Sequence, residues 1–178
     1  RSRIKLPGQI KTKAPHHMTI PSFMHIVGSG RMMEGLFQKI RAAAEINSIV
    51  LITGETGSGK DLIAKAIHET GARNGKPFVP VACGLLDNDL AESRLFGHEK
   101  GAFTGADRER EGYVSSANGG TLLLDDIDNL FGPVQAKLLR VIEDGEVWSV
   151  GSLKPRLIDV RILASTNREL SEMVSVGK

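Results

Sequence analysis

The sequence predicts an α/β fold in which helices flank a parallel sheet, and three observations carry that prediction. A short apolar run, Ser48-Ile49-Val50-Leu51-Ile52-Thr53, passes into a glycine-rich loop and then into helical spacing. Further short apolar runs recur downstream, each separated from the next by a helix-like stretch, which is the alternation that builds parallel sheets. At 178 residues the chain suits one such domain and can bury a sizeable core.

Taken in order, residues 1–25 read as a linker or tag-like segment and residues 26–178 as the domain. Arg1 to Ser22 is polar, contains Pro7, Gly8, Pro15 and Pro21, and has only basic formal charges: Arg1, Arg3, Lys5, Lys11 and Lys13. A solvated tail accounts for this more simply than a basic arm on nucleic acid. From Ser29, the positions Met33, Leu36, Phe37, Ile40 and Ala44 describe an amphipathic helix. Ser48 to Thr53 has the pattern of a strand buried on both faces.

Gly54-Glu55-Thr56-Gly57-Ser58-Gly59-Lys60 follows, with G-x-x-x-x-G-K spacing. Its glycines let the backbone turn tightly and aim several N–H groups into one concavity. After Asp61 the apolar positions Leu62, Ile63, Ala66 and Ile67 recur at helical spacing, so the loop ends at a helix N-terminus. Unpaired amides and the helix dipole both favour an anion there. Lys60 supplies the charge that reaches β and γ phosphates, and nucleoside triphosphate binding follows. A glycine-rich turn with a solvated lysine would not require the strand before it. The general pattern places Ser or Thr after the lysine as a magnesium ligand, whereas this chain has Asp61.

Gly71 to Pro77 is turn-like, and Phe78-Val79-Pro80-Val81-Ala82 is a second strand. Pro80 cannot donate to a central ladder, which places that strand at a sheet edge. Leu85 to Phe96 reads as a helix, and Gly97 to Gly112 breaks every periodicity. A third strand, Thr121-Leu122-Leu123-Leu124, ends in Asp125-Asp126. Pro133 opens the next helix, where its missing N–H is harmless; Val134, Leu138, Val141 and Ile142 share a face and Gly145 lies just beyond the end. A fourth strand, Val160 to Ser165, runs into Thr166-Asn167.

Composition narrows the classes. A net charge of +2 does not by itself argue for nucleic acid, and 4% aromatics disfavour a base-stacking platform. The single cysteine, Cys83, excludes an internal disulfide and reads as a small buried residue. No run is long enough to cross a bilayer and no signal-peptide pattern appears, so no membrane partner is expected and a cytoplasmic setting is the default.

In a parallel sheet the ligand sits at the carboxyl ends of the strands, and the distinctive residues lie there. Asp125 is suited to hold Mg2+ directly or through water, and Asp126 to orient or deprotonate an attacking water. The same pair could instead cap the following helix. Asn167 is suited to hold that water or sense a γ phosphate; it could also be an ordinary polar loop start. No N-K-x-D or T-K-x-D string supports guanine selectivity.

The stretch Glu92-Ser93-Arg94-Leu95-Phe96-Gly97-His98-Glu99-Lys100-Gly101-Ala102-Phe103-Thr104-Gly105-Ala106 resembles the central AAA+ domain of bacterial sigma-54-dependent transcription activators, the NtrC-like enhancer-binding proteins. G-A-F-T-G-A is highly specific to that family. The likeness runs from about Ile26 to Lys178 and includes G-E-T-G-S-G-K-D, A-N-G-G-T-L-L-L-D-D-I, Q-A-K-L-L-R-V-I and D-V-R-I-L-A-S-T-N-R-E-L. An acid after the loop lysine is usual there, so Asp61 fits.

The resemblance implies an ATP- and Mg2+-dependent P-loop NTPase, a homo-oligomeric ring that is usually hexameric and remodels the sigma-54 RNA polymerase closed complex. Gly101, Ala102, Phe103, Thr104, Gly105 and Ala106 would form the mobile tip that touches sigma-54. Phe103 displayed between small residues is itself the pattern of an aromatic that needs a partner. The segment Gly145 to Arg156 matches a second loop supporting the first. Promoter DNA would be reached through domains outside these residues. The family's fifth strand, helical lid and arginine fingers lie beyond the position of Lys178, so this stretch alone is expected to hydrolyse ATP poorly; such fingers contribute roughly 10³ to 10⁵ in rate.

Three positions depart from the family pattern. The second acid is usually Glu, and Asp126 is one methylene shorter; displacing a base by about 1 Å can cost a hundredfold in rate. Ala82 stands where the family has an Asn that restrains that Glu. Ser149 stands where an Arg precedes Val-Gly, which predicts weaker coupling between the two loops. These departures keep a second reading open, a divergent regulator that binds nucleotide and hydrolyses it slowly or not at all.

Overall fold

In the computed structural model, residues 22–23, 26–170 and 175 are described. Two-residue strands β1 (Ser22–Phe23) and β2 (Ile26–Val27) pair antiparallel. The rest of the expected 1–25 linker lies outside the described residues, and its last part already joins this pairing. Helix α1 (Arg31–Glu45) follows and buries Phe37, Ile40 and Ala44, the face that its periodicity marked. Strand β3 (Val50–Thr53) leads through the glycine loop into α2 (Lys60–Thr70).

Strand β4 (Phe78–Ala82), α3 (Asn88–Phe96) and the one-turn helix α4 (Tyr113–Ser116) come next. Strand β5 (Thr121–Asp125) runs through a 3-10 turn at Ile127–Asn129 to α5 (Gly132–Asp144). A small antiparallel pair, β6 (Glu146–Val147) and β7 (Arg156–Leu157), precedes β8 (Arg161–Thr166). Four strands form one parallel sheet in the order β3-β8-β5-β4. The predicted α/β fold is therefore the observed one, and β4 with its Pro80 occupies an edge as Pro80 requires.

The two central strands explain why their sequences are continuous apolar runs. Leu123 and Leu163 face one side and pack with Phe37, Ile40, Ala64 and Ile67 of α1 and α2. Leu122, Leu124 and Ile162 face the other and pack with Leu95, Phe96, Val114, Val134, Leu138 and Val141. Alternate residues thus serve two cores, and neither face can be polar. His68 joins the lower end of this assembly, with Nδ1 2.9 Å from Thr121 Oγ1.

Burial and boundaries differ from the sequence reading in several places. Strand β3 is not buried on both faces: it is the other edge of the sheet, Ile52 is buried, and Leu51 is 47% exposed. An aliphatic run has the same composition at an edge as in the centre, because only the strand order decides which faces are covered. The helix expected from Leu85 begins at Asn88, since Cys83–Leu85 forms a 3-10 turn and the Asp87 carboxylate accepts the Asp89 N–H, setting a cap there. Ile142 is partly exposed while its expected companions on α5 are buried. Strand β8 starts and ends one residue later than expected, and Thr166 belongs to it. Among the described residues no helix is long and apolar enough to cross a membrane.

Candidate functional site

The glycine loop is shaped by its own residues. Gly57 and Gly59 have φ of 79° and 82°, values that a side chain makes expensive. The Ser58 N–H and hydroxyl both bond to Glu55 O, at 3.2 and 2.7 Å, which closes the turn. Gly59 is the N-cap of α2, so the first amides of that helix face the loop. Lys60 is 8% exposed and its Nζ donates to Gly54 O and Glu55 O, each at 3.0 Å. A buried ammonium held by carbonyls over a row of amides is a receptor for a polyanion. Thr56 and Asp61 are exposed beside it.

Three strand ends meet at this loop. Thr53 pairs with Thr166, and Gly54 N donates to Thr166 O at 3.3 Å, so β8 ends next to the loop. Asn167, one residue on, donates from Nδ2 to Thr56 Oγ1 at 3.0 Å. On the neighbouring strand, Asp125 accepts a hydrogen bond from the buried Ser165 hydroxyl. The expected loop, acid and asparagine are therefore brought to one end of the sheet.

Asp126 is the sole non-glycine residue with positive φ among the described residues, at φ 53° and ψ 53°. Asp and Asn tolerate that region better than longer side chains, because the short polar group can bond locally. Its carbonyl caps the 3-10 turn through Asn129 N, and its N–H reaches Ser165 Oγ at 3.4 Å. No hydrogen bond reaches its carboxylate from the described residues. Ala82, aligned with Asp125 across the ladder, has no polar group to offer. Below them, burial and then the charges of Asp125, Asp126 and Asp128 push the Cys83 thiol up to about 12. Cys83 is thus an inert buried residue, as expected.

A third acid escaped the sequence reading. The side chain of Asp128 is 2% exposed and bonds to Thr166 and Arg168. The run Asp125-Asp126-Ile127-Asp128 was the available signal, but spacing alone does not separate a buried acid from a turn residue.

The glycine-flanked loop lies away from these residues. A bridge between His98 and Arg110 closes its base, and Gly101 N donates to Ala106 O at 2.8 Å across its tip. At Gly112 a Cβ would lie 2.3 Å from Gly97 N, so only glycine permits this backbone crossing. Phe103 is 38% exposed and meets the His98 ring edge-on at 5.0 Å. Thr104 and Gly105 are exposed and Ala106 is buried. The second loop contacts the first as expected: Val150 exchanges backbone bonds with Gly97 and Glu99, and Arg156 lies 2.5 Å from Glu109. Ser149, in place of the arginine, bonds to Phe96 O at 3.1 Å and so still ties the segments.

Comparison with known proteins places these features in one family. Residues 26–178 match the sigma-54 interaction domain. The Nif-specific regulatory protein of Azorhizobium caulinodans is 48% identical over 157 residues, 88% of this chain and 26% of that protein. The transcriptional regulatory protein ZraR of Salmonella typhimurium is 46% identical over 153 residues, 86% of this chain and 35% of that protein. The chain thus spans about a quarter to a third of such relatives. NtrX from Brucella abortus, solved in complex with ATP, superposes with a TM-score of 0.79 at 36% identity, covering 86% of this chain and 33% of that one. The chain belongs to the sigma-54 interaction domain family, the P-loop AAA+ domain of NtrC-like sigma-54-dependent activators.

Proposed function

We propose that this domain binds ATP with Mg2+, hydrolyses it in a homo-oligomeric ring, hexameric as is usual for the family, and uses the Gly101–Ala106 loop to remodel a sigma-54 RNA polymerase closed complex in the cytoplasm. The observation that carries this reading is the hydrogen bond from Asn167 of the β8 exit to Thr56 of the glycine loop, beside the acid-bearing end of β5. That arrangement joins a phosphate receptor to groups able to handle water. The relative solved with ATP supports the choice of nucleotide.

In this reading Gly54, Glu55, Thr56, Gly57, Ser58, Gly59 and Asp61 line the polyphosphate, and Lys60 turns from its two carbonyls to neutralise it. The donor set fits Mg2+: a cation of this kind takes one or two carboxylates together with phosphate oxygens and water. Asp125 supplies the carboxylate, with one oxygen held by Ser165. When bound, the metal would neutralise charge developing on the phosphates. Asp126 accepts a proton from the attacking water, Asn167 registers the γ phosphate through the loop, and Phe103 with Thr104 presents an aromatic and a hydroxyl to sigma-54. Promoter DNA belongs to other domains.

Replacing Lys60 with Ala should abolish ATP binding in a calorimetric titration while leaving the melting transition in place; unchanged affinity would reject the assignment. Phe103→Ala should preserve ATP turnover and remove sigma-54 binding, and retained binding would reject the loop's role.

A second reading has its own observation. The left-handed backbone at Asp126, a carboxylate with no hydrogen bond from the described residues, and the apolar Ala82 aligned with the preceding Asp125 favour a regulator that binds nucleotide and turns it over slowly. Asp126→Glu, measured in a chain extended through the arginine fingers and lid, distinguishes the two: wild-type turnover that rises steeply with protein concentration supports the motor, and a wild type that binds ATP but stays idle while the variant turns over supports the regulator.

A further inference from the structure

The third acid is placed to do more than satisfy a turn. Asp128 lies in the 3-10 turn after β5, and its two carboxylate oxygens reach the two residues on either side of Asn167. Oδ1 accepts the Thr166 hydroxyl at 2.6 Å, and Oδ2 forms an ion pair with the half-exposed Arg168 guanidinium, 3.2 Å from Nε. Thr166 Oγ1 in turn accepts Arg168 N at 3.0 Å, closing a turn around Asn167. Thr166 is completely buried and the Asp128 side chain is 2% exposed. A carboxylate removed from water to this degree requires such partners to remain charged.

We propose that Asp128 is a positioning residue: it clamps the β8 exit from both sides of Asn167, so that the Asn167 amide stays on Thr56 of the phosphate loop and the domain distinguishes ATP from ADP. This inference rests on the proposed nucleotide reading and specifies how its γ-phosphate discrimination is set. The geometry accounts for the choice of residue. The buried hydrogen bond to Thr166, whose hydroxyl in turn holds the Arg168 N–H, fixes the backbone on both sides of residue 167, and the ion pair to the Arg168 side chain adds a second, more exposed contact. The same turn begins after Asp126 and follows Asp125, so the acid end of β5 and the asparagine end of β8 are tied together through it.

The test is the ratio of ATP to ADP affinity, measured by titration calorimetry with Mg2+ for wild type, Asp128→Asn, Asp128→Ala, Thr166→Val and Asn167→Ala. Thr166→Val keeps the shape of the buried side chain and removes one arm of the clamp, so the question stays open to measurement even if Asp128→Ala fails to fold. The expected result is a loss of about tenfold or more in ATP affinity with ADP affinity within about twofold. Asp128→Asn, which retains an acceptor for Thr166, should fall between wild type and Asp128→Ala. Asn167→Ala combined with Thr166→Val should lose no more than Asn167→Ala alone, the non-additivity expected of groups acting through one another. An unchanged ratio, or equal weakening of both nucleotides, would overturn the clamp and leave Asp128 a purely structural acid. Wild type that binds neither nucleotide would overturn the nucleotide reading itself, and with it the clamp, whereas wild-type binding with an unchanged variant ratio overturns the clamp alone.

Discussion

The two arms of the candidate site are built on opposite principles. The glycine loop leaves an edge strand and is shaped by bonds within seven consecutive residues, as the Ser58 and Lys60 contacts to Gly54 and Glu55 illustrate. The acid and asparagine arm leaves the two central strands, and its contacts join residues 38 to 40 positions apart, Asp125 with Ser165 and Asp128 with Thr166. A loop held by its own backbone tolerates a half-covered strand beneath it. Side chains aligned across two strands inherit every shift in the packing of those strands.

That contrast predicts an uneven response to truncation. Leu123→Ala, in the buried centre of the sheet, should cost about 2–5 kcal/mol in denaturant unfolding, whereas Leu51→Ala on the edge strand should cost below about 1 kcal/mol. Equal losses would erase the distinction. Ser165→Ala removes a buried donor from Asp125 and should cost about 1.5–3 kcal/mol, the range for hydrogen bonds to charged groups, with a fall in ATP turnover; retained stability would mean that the acid arm does not depend on this bond. Gly59→Ala forces a side chain into left-handed backbone at a cost of about 1–2 kcal/mol, and its larger effect should appear in nucleotide affinity. A variant that binds ATP normally would show that the loop geometry is less demanding than its φ values imply.

The smallest expected effect tests the link beneath both arms. Burial lowers the pKa of His68, which joins α2 of the loop arm to Thr121 of the acid arm. The folded state therefore favours neutral imidazole, and the unfolded chain binds the proton first. The His68 contribution is complete above its ordinary value of 6.5 and is lost as pH falls from there through the lowered folded value. Melting temperature followed from about pH 7.5 to about pH 5 should decline in wild type, and His68→Gln should flatten that decline. Identical profiles would detach His68 from the pH response.

Legibility followed the same division. The loop, its lysine and the helix after it were readable because spacing and glycine placement encode a local shape. The parallel sheet was readable from apolar runs alternating with helices, and the edge position of β4 from Pro80, whose missing N–H forbids a central place. Strand β3 looked interior because Ile49, Val50, Leu51 and Ile52 are apolar whether or not a neighbour covers them. The expected start of α3 at Leu85 failed because Asp87 competes for the first amides. The family resemblance rested on contiguous motifs, above all Gly101 to Ala106, and the comparisons bear it out.

By itself, the sequence determined the fold class, the phosphate-loop geometry and the family, since each depends on short-range order in the chain. The tertiary structure alone decided that β3 is an edge, that Asp126 adopts left-handed backbone, and that Asp128 is the buried partner of Thr166 and Arg168 on the two flanks of Asn167. Those facts depend on which strands become neighbours and in what register. Register is set by how two hydrophobic cores close on the opposite faces of one sheet, and no local spacing records that.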